Sequence, residues 1–598
     1  MHSVKSTTSE IKAFRGKIIE KLLSERNSSG SWEGELSSSA LSTAVSTFAL
    51  YQFSPDTFKQ DINSGLDWLV QNINDDGGYG DTVDSPSNIS TTLLCWSAFS
   101  LSEKLGRDDS QTIKKIEDCL LKEAGSIEPD KICQKILDVY GDDHTFSVPI
   151  LTTLAIAGRL GESPWSKVLQ LPFELSVFPA TMFKLLKLEV VSYALPALIT
   201  IGLVRHTKKR SSLNPLSWFR SLVTKRALKK LAYIQPVNGG FLEATPLTGF
   251  VLMSLCESGL KDIEVAQKCA SFLKSSIRKD GSYPIDTHLH TWVTTLSINA
   301  LTETDKEYLN ESEREGLKKF LTDQQYKEVH PYTNAAPGGW AWSPLPGAVP
   351  DADDTSGALV ALRRLSTSES MPVKEAEAGI RWLLGLQNSD GGIPTFCRGW
   401  GQLPFDQSCP DITAHCLRAF CEWQNDVSPK LQTQIKTSQR ALVKYLKNTQ
   451  RSDGSWNPLW FGNQHNKGKL NLTYGTAQVV IALCELPNAE NLDISSLLEN
   501  GLQWIRSSQN DDGSWSGIKG TAGSLEETSL ALNALVSSGQ NDEQVEKAFQ
   551  WLITETKDGT EFKSRPIGLY FASLWYDEKM YPLVYTAAAT EKYFKGKA

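Results

Sequence analysis

One short pattern recurs along the chain, and it limits the fold more than any other feature. KIIEKLLSERNSSGSW (17–32), GLDWLVQNINDDGGY (65–79), CASFLKSSIRKDGSY (269–283), GIRWLLGLQNSDGGI (379–393), ALVKYLKNTQRSDGSW (441–456) and GLQWIRSSQNDDGSW (501–515) are copies of it. KKLAYIQPVNGGF (229–241) and AFQWLITETKDGTEF (548–562) are weaker copies. Each has apolar residues at helical spacing, then a polar residue, a D-G or G-G turn, and usually an aromatic. The helix ends, glycine permits the positive-φ turn, and the ring packs back on the structure. Between copies lie further apolar helical stretches such as ALSTAVSTFALYQF (40–53) and TAQVVIALCEL (476–486). Strand patterns are scarce. Helices alternating with one turn per pair predict an all-α protein of α/α barrels, and two such barrels account for the length.

At 598 residues the chain exceeds one ordinary core. A net charge of −8 with no basic stripe argues against a nucleic-acid partner. Seventeen Trp, 22 Phe and 16 Tyr supply enough rings to line a cavity as well as a core. The ten cysteines include no CxxC and no zinc-finger spacing, so reduced, mostly buried thiols are expected. MHSVKSTTSEIKAFRGK carries no apolar run, and secretion is not expected. The segment 171–204 is strongly apolar and gives way to RHTKKR (205–210). Pro179, Pro196 and four charges argue against a spanning helix. It reads either as buried core helices or as a surface that dips into one leaflet with basic residues near the headgroups.

VPDADDTSG (349–357) places Asp351, Asp353 and Asp354 within four positions, before a predicted helix and after the aromatic run PGGWAWS. Three readings are open. The carboxylates could cap the helix, hold Mg2+ for a diphosphate, or form an acid whose proton its neighbours make available. Like charges this close cannot all ionise cheaply, so one should keep a proton near neutrality.

The wider context resembles the squalene–hopene cyclases and related class II terpene cyclases. The repeats resemble their QW repeats, PDADDT their DxDD motif, PGGWAWS their PGG-aromatic-Ala-aromatic segment, DITAH (411–415) their DVTAH, and LTYGT (472–476) their LYGT. GESPWSKVLQLPFEL (161–175) is similar to the run leading into their membrane-facing region. The resemblance implies two α/α barrels in the βγ arrangement, expected as 1–30 plus 275–598 for the DxDD barrel and 31–274 for the other. It makes Asp353 the protonating acid, Asp351 and Asp354 its flanking carboxylates, and His415 its hydrogen-bond partner. Asp411, four residues earlier on the same helix face, is expected to orient and charge that imidazole. Tyr474 matches the tyrosine of the water-bearing network. Trp342 matches the aromatic beside the first cation and Phe396 another ring of that cavity, while Tyr193 and Tyr283 fall near cavity tryptophans. An unactivated alkene is a weak base, so it needs a desolvated acid and then ring faces that stabilise cations without trapping them.

Departures fall in two places. WNPLWFGNQHNKGKLNLTYGT replaces a short family segment, so Trp460 stands in for an expected cavity Trp, and GGIPTFCRGWGQLPFDQSCPD (391–411) is shorter than its counterpart. In PIGLYFASLWYDEKMYP (566–582) the aromatics shift, leaving Tyr570, Trp575 and Tyr576 as candidate cavity residues. The expected activity is protonation-initiated polycyclisation of squalene or another polyprene, an intramolecular isomerisation, or a hydro-lyase reaction if water terminates it. No metal or organic cofactor is expected. A class II cyclase of a prenyl diphosphate such as the C20 compound is the alternative, and a non-catalytic α/α scaffold the third. A monotopic place on the cytoplasmic side of a membrane and a homodimer are the remaining expectations.

Overall fold

The computed structural model describes residues 8–141, 143–210, 214–302, 308–401, 403, 405–486, 492–569 and 574–595. Two closed rings of inner helices organise it. Ala40–Phe53, Ile89–Ala98, His144–Ile156, Val190–Lys208 and Thr245–Glu257 pack side by side, the last against the first. His290–Leu301, Ala352–Leu365, Pro410–Trp423, Leu472–Cys484, Leu525–Ser537 and Tyr581–Lys595 close a second ring of six. Outer helices such as Lys59–Gln71 and Pro429–Thr449 cover these rings, and Thr8–Ser24 packs on Tyr581–Lys595. Inner helices are buried on nearly every side, as the wholly buried stretch 40–50 shows, whereas outer helices bury a single stripe. The structure is thus an all-α pair of α/α barrels.

Each repeat performs the same local job. In the copy at 441–456, Gly454 takes φ +91°, and a Cβ there would lie 2.5 Å from the Asn500 carbonyl oxygen on the next outer helix. Only glycine allows both the left-handed turn and that approach. The Trp456 indole then folds back to donate to Leu446 O at 2.9 Å, and Gln450 Nε2 donates to Gly454 O and Leu497 O. These bonds tie the turn to the end of its own helix and to the next outer helix. Trp515 with Gln509 repeats the arrangement, and Trp32 and Trp340 make the equivalent indole bonds.

One hydrophobic core gathers residues from Ile11 to Leu36 and from Ile285 to Tyr593; the other runs from Ala40 to Tyr283 and recruits Tyr332, Val349 and Cys397. Ser38–Ser39 pairs with Tyr283–Pro284 where the chain passes between barrels. Trp342, Phe396, Phe405 and Leu574 pack against both cores.

The apolar segment 171–204 divides between core and surface. Most of it is core: Val190–Lys208 is an inner-ring helix, with Ile199, Ile201 and Val204 fully buried. An inner helix must be apolar all round, so its composition copies that of a membrane segment. Glu174, on the same segment, is held by Arg220 through two bonds of 2.8 Å. The exposed apolar side chains of this region are Phe178, Leu185 and Leu186, joined by Leu216, Trp218, Phe219 and Leu222 of helix Pro215–Ile234.

Candidate active site

The acidic motif begins the helix Ala352–Leu365, and its three carboxylates are not equivalent. Asp351 is the N-cap, its Oδ1 accepting the Asp353 and Asp354 backbone N–H groups at 2.9 Å each. Its own N–H donates to Trp340 O at 3.0 Å, in an isolated β-bridge that ties PGGWAWS to the motif. Asp351 and Asp354 are almost wholly buried, while the Asp353 side chain keeps 18% exposure. Burial pushes Asp351 up to about 7 and, with the charges of Asp351 and Asp353, pushes Asp354 well above the carboxylate range. The buried pair therefore holds a proton near neutrality, while Asp353 faces a cavity.

His415, from helix Pro410–Trp423, bonds through Nδ1 to Asp353 Oδ1 at 2.7 Å. Asp411 departs from its expected role. The structure gives it a bond from the Cys409 thiol, Sγ to Oδ1 at 2.6 Å, rather than one to His415. The Cys409 sulfur in turn accepts the Leu459 N–H at 3.2 Å, so this buried thiol fills the position between Asp411 and the 456–471 segment. Burial raises Asp411 to about 7, with the charge of Asp353 adding to it and the thiol bond opposing it.

A cavity of about 100 Å³ runs along the axis of this barrel behind Asp353. Trp292, Asp411, His415, Tyr474 and Tyr585 line it near the acid, and Arg364, Arg418, Glu485 and Lys592 line its far end. Glu485 accepts from all three cations there. Buried Asn299 Oδ1 and Arg418 Nε also border the cavity without a protein hydrogen-bond partner, so polar atoms and space suit several waters.

The turn aromatics place these groups by a common register. The backbone N–H of Trp340 donates to Thr355 Oγ1, that of Ile393 to Thr413, Trp456 to Thr476, Trp515 to Thr528 and Trp32 to Thr294. Two residues before those threonines stand Asp353, Asp411, Tyr474, Glu526 and Trp292. In the other barrel, Tyr79, Phe241 and Tyr283 donate to Thr92, Thr248 and Thr43.

A second cluster is aromatic. Tyr193 lies 5.4 Å from Phe396 and 5.4 Å from Phe405 between ring centroids, and its hydroxyl donates to Phe396 O at 3.1 Å. Trp460 packs edge-on to Phe396 at 5.7 Å and Phe405 at 6.0 Å, and Trp342 edge-on to Phe396 at 6.5 Å. Trp342 O accepts the N–H groups of Thr291 and Trp292, linking this cluster to the acid cavity. Tyr283 belongs elsewhere: it is the turn aromatic of its repeat, fully buried in the 40–283 core. Tyr576 bonds to Tyr581 at 3.0 Å, and Tyr581 accepts the Trp292 indole. Trp575 points to the opposite face of that short strand, under the Lys469 ammonium. Tyr570 lies outside the described residues.

Sequence reasoning missed Trp292, Phe405 and Cys409. Trp292 sets its ring edge-on to His415 at 6.2 Å. Its signal was present, since it stands two residues before an acceptor threonine like Asp353.

Residues 289–593 match the family described as the squalene-hopene cyclase C-terminal domain, and residues 10–140 match the prenyltransferase alpha-alpha toroid domain. The chain belongs to the class II terpene cyclases. Among curated relatives, enfumafungin synthase of Hormonema carpetanum is 24% identical, covering 91% of this chain and 45% of its own. Squalene–hopene cyclase of Bradyrhizobium diazoefficiens is 26% identical over 48% of this chain and 45% of its own. This class II cyclase chain spans about half the length of the curated relatives it matches. Among solved structures, ent-copalyl diphosphate synthase from Streptomyces platensis shares the fold at a TM-score of 0.60 and 17% identity, covering 98% of this chain and 100% of its own.

Proposed function

We propose that this chain is a class II terpenoid cyclase in which Asp353 of the DxDD motif protonates a terminal alkene of squalene or a similar long polyprene. The observation that carries the reading is the Asp353–His415 pair at 2.7 Å, on the one motif carboxyl that faces a cavity. A protonated imidazole there offsets the charge left when the acid gives up its proton. Asp351 anchors the acid through its backbone, and the buried Asp351–Asp354 pair keeps a proton close by. Trp342, Phe396, Phe405, Trp460 and Tyr193 form the ring surface along which successive cations are stabilised. Waters in the axial cavity would return a proton to Asp353 between turnovers.

A prenyl diphosphate would need cations of its own. Arg364, Arg418 and Lys592 share the cavity with Asp353, but Glu485 already engages all three. That argument favours a plain polyprene. Incubating the purified protein with squalene and, separately, geranylgeranyl diphosphate, with products analysed by mass spectrometry, tests it. A cyclic product from the diphosphate alone refutes the squalene reading.

The exposed Leu185, Leu186, Leu216, Trp218, Phe219 and Leu222 further support a monotopic place on a membrane's cytoplasmic face, from which an apolar substrate is taken up. The protein should co-sediment with anionic liposomes, and replacing Leu185, Trp218 and Leu222 by Ser should release it. Failure of the unaltered protein to bind removes the membrane from the reading.

A further inference from the structure

Glu526 is a buried acid that the steps above do not use. It occupies, on helix Leu525–Ser537, the position that Asp353 occupies on its own helix, two residues before an acceptor threonine. Asp353, Asp411, Tyr474 and Glu526 therefore stand on four consecutive inner helices, with Glu526 three helices from the acid around a ring of six. The residue is 5% exposed; Oε1 accepts the Arg565 N–H at 2.8 Å, and Oε2 is buried without a partner. A buried carboxylate with one bare oxygen is costly, whereas a carboxylic acid there has a proton to give.

Residues around it border two cavities. Towards the axis, Tyr585 feels the charges of both Glu526 and Asp353, is hydrogen-bonded to Tyr474, and lines the Asp353 cavity with Tyr474. On the other side, Ser524, Leu525 and Arg565 line a second depression of about 360 Å³ together with His465 and Lys563. Both neighbours of Oε1 in space and sequence thus border one cavity while the tyrosines border the other.

We propose that Glu526 is the proton reservoir for the acid, returning a proton to the Asp353 carboxylate through the Tyr585 and Tyr474 hydroxyls and cavity water. This rests on the reading of Asp353 as the proton donor. The protons balance in each cycle. Asp353 gives one to the alkene, Glu526 gives one to Asp353 along the relay, and the proton lost by the final cation goes to solvent. Glu526 is recharged from water in the second depression. Burial, then the charge of Glu527, pushes Glu526 up to about 8, while the Arg565 N–H and guanidinium oppose this. Tyr585 and Tyr474 stand on the two neighbouring inner helices, both held protonated by burial well above their ordinary range. The reservoir is therefore charged at neutral pH and empties above about 8.

The test separates the first turnover from later ones. Enzyme that starts with Asp353 protonated needs no reservoir for one cycle. Glu526→Gln should give a product burst of about one equivalent at the normal rate, followed by steady turnover slowed about tenfold or more. It should also lose the fall in steady rate above about pH 8. Unchanged steady turnover overturns the proposal, as does a burst and steady rate that decline together. Should Glu526→Gln fold poorly, unaltered enzyme equilibrated at pH 7 and mixed to pH 9.5 should still complete one turnover and then slow. An equal rate before and after that first turnover also overturns it. Asp353→Asn distinguishes the parent reading, because it should abolish the burst itself.

Discussion

In the barrel of residues 40–257, the positions two before the acceptor threonines hold Leu41, Ser90 and Pro246; in the barrel of residues 290–595 they hold Trp292, Asp353, Asp411, Tyr474 and Glu526. The scaffold delivering them is the same: glycine turn, returning aromatic, backbone bond to threonine. What changes is the price of occupancy. Leu41 and Pro246 bury without electrostatic penalty, whereas Asp411 and Glu526 are driven up to about 7 and 8 by burial. One ring has been left as a packed core and the other loaded with groups that would rather be in water. Buried titratable groups collected at one level of one ring make it the candidate reactive site.

The largest expected effect breaks this comparison outright. Asp353→Asn should lower cyclisation by at least about 10³-fold while leaving the thermal unfolding temperature near its normal value, since an amide has no proton to give. Ser90→Ala, at the matching position of the other ring, should leave product formation within about twofold. Comparable losses in both variants would show that the two rings do not differ in function. Next comes His415→Phe, which removes the 2.7 Å partner of the acid. A drop of about 10²-fold is expected, from loss of a charge-assisted bond inside a partly desolvated site. Normal turnover would take His415 out of the mechanism.

Trp342→Ala should change what is made more than how fast. Removing a ring face from the shared aromatic surface withdraws roughly 0.5–2 kcal/mol of cation stabilisation and opens space. Mono- or bicyclic alkenes should then accumulate through early proton loss, with Trp342→Phe keeping more of the normal product. An unchanged product mixture would make Trp342 a packing residue that bridges the two cores.

Much of this was readable before any coordinates, for local reasons. Glycine turns and returning rings are properties of a dozen residues, so the repeats and the helical hairpins show in the sequence. PDADDT and DITAH are short and contiguous, and their meeting at Asp353–His415 followed from the resemblance. The assignments that shifted depend on distance through space. Asp411 turns to Cys409 because the thiol, two residues away, reaches the carboxylate inside the first turn. Phe405 enters the ring cluster from a shortened loop whose path no periodicity describes. The 171–204 segment divides between core and exposed apolar surface, a division that hydropathy does not describe because a helix surrounded by protein and one surrounded by lipid read alike. Glu526 had a signal that went unused, the threonine two residues on.

The smallest expected effect is on stability, and it sharpens the comparison without touching the chemistry. Glu526 has an ordinary value of 4.5 and is raised to about 8 in the folded protein. The fold therefore binds this proton more tightly than the unfolded chain does. Its favourable contribution is complete below the ordinary value and is lost as pH rises through about 8, where a buried carboxylate must ionise. Glu526→Gln keeps the shape and a donor but never ionises. At pH 6 its unfolding temperature should be within a degree or two of the parent's, and at pH 9 it should exceed it by about 2–4 °C. Ser90→Ala, at the matching position of the other ring, should show no such pH-dependent gap. A Glu526→Gln variant equally stable relative to the parent at both pH values would mean that Glu526 ionises freely in the fold, and the two rings would then differ in composition alone.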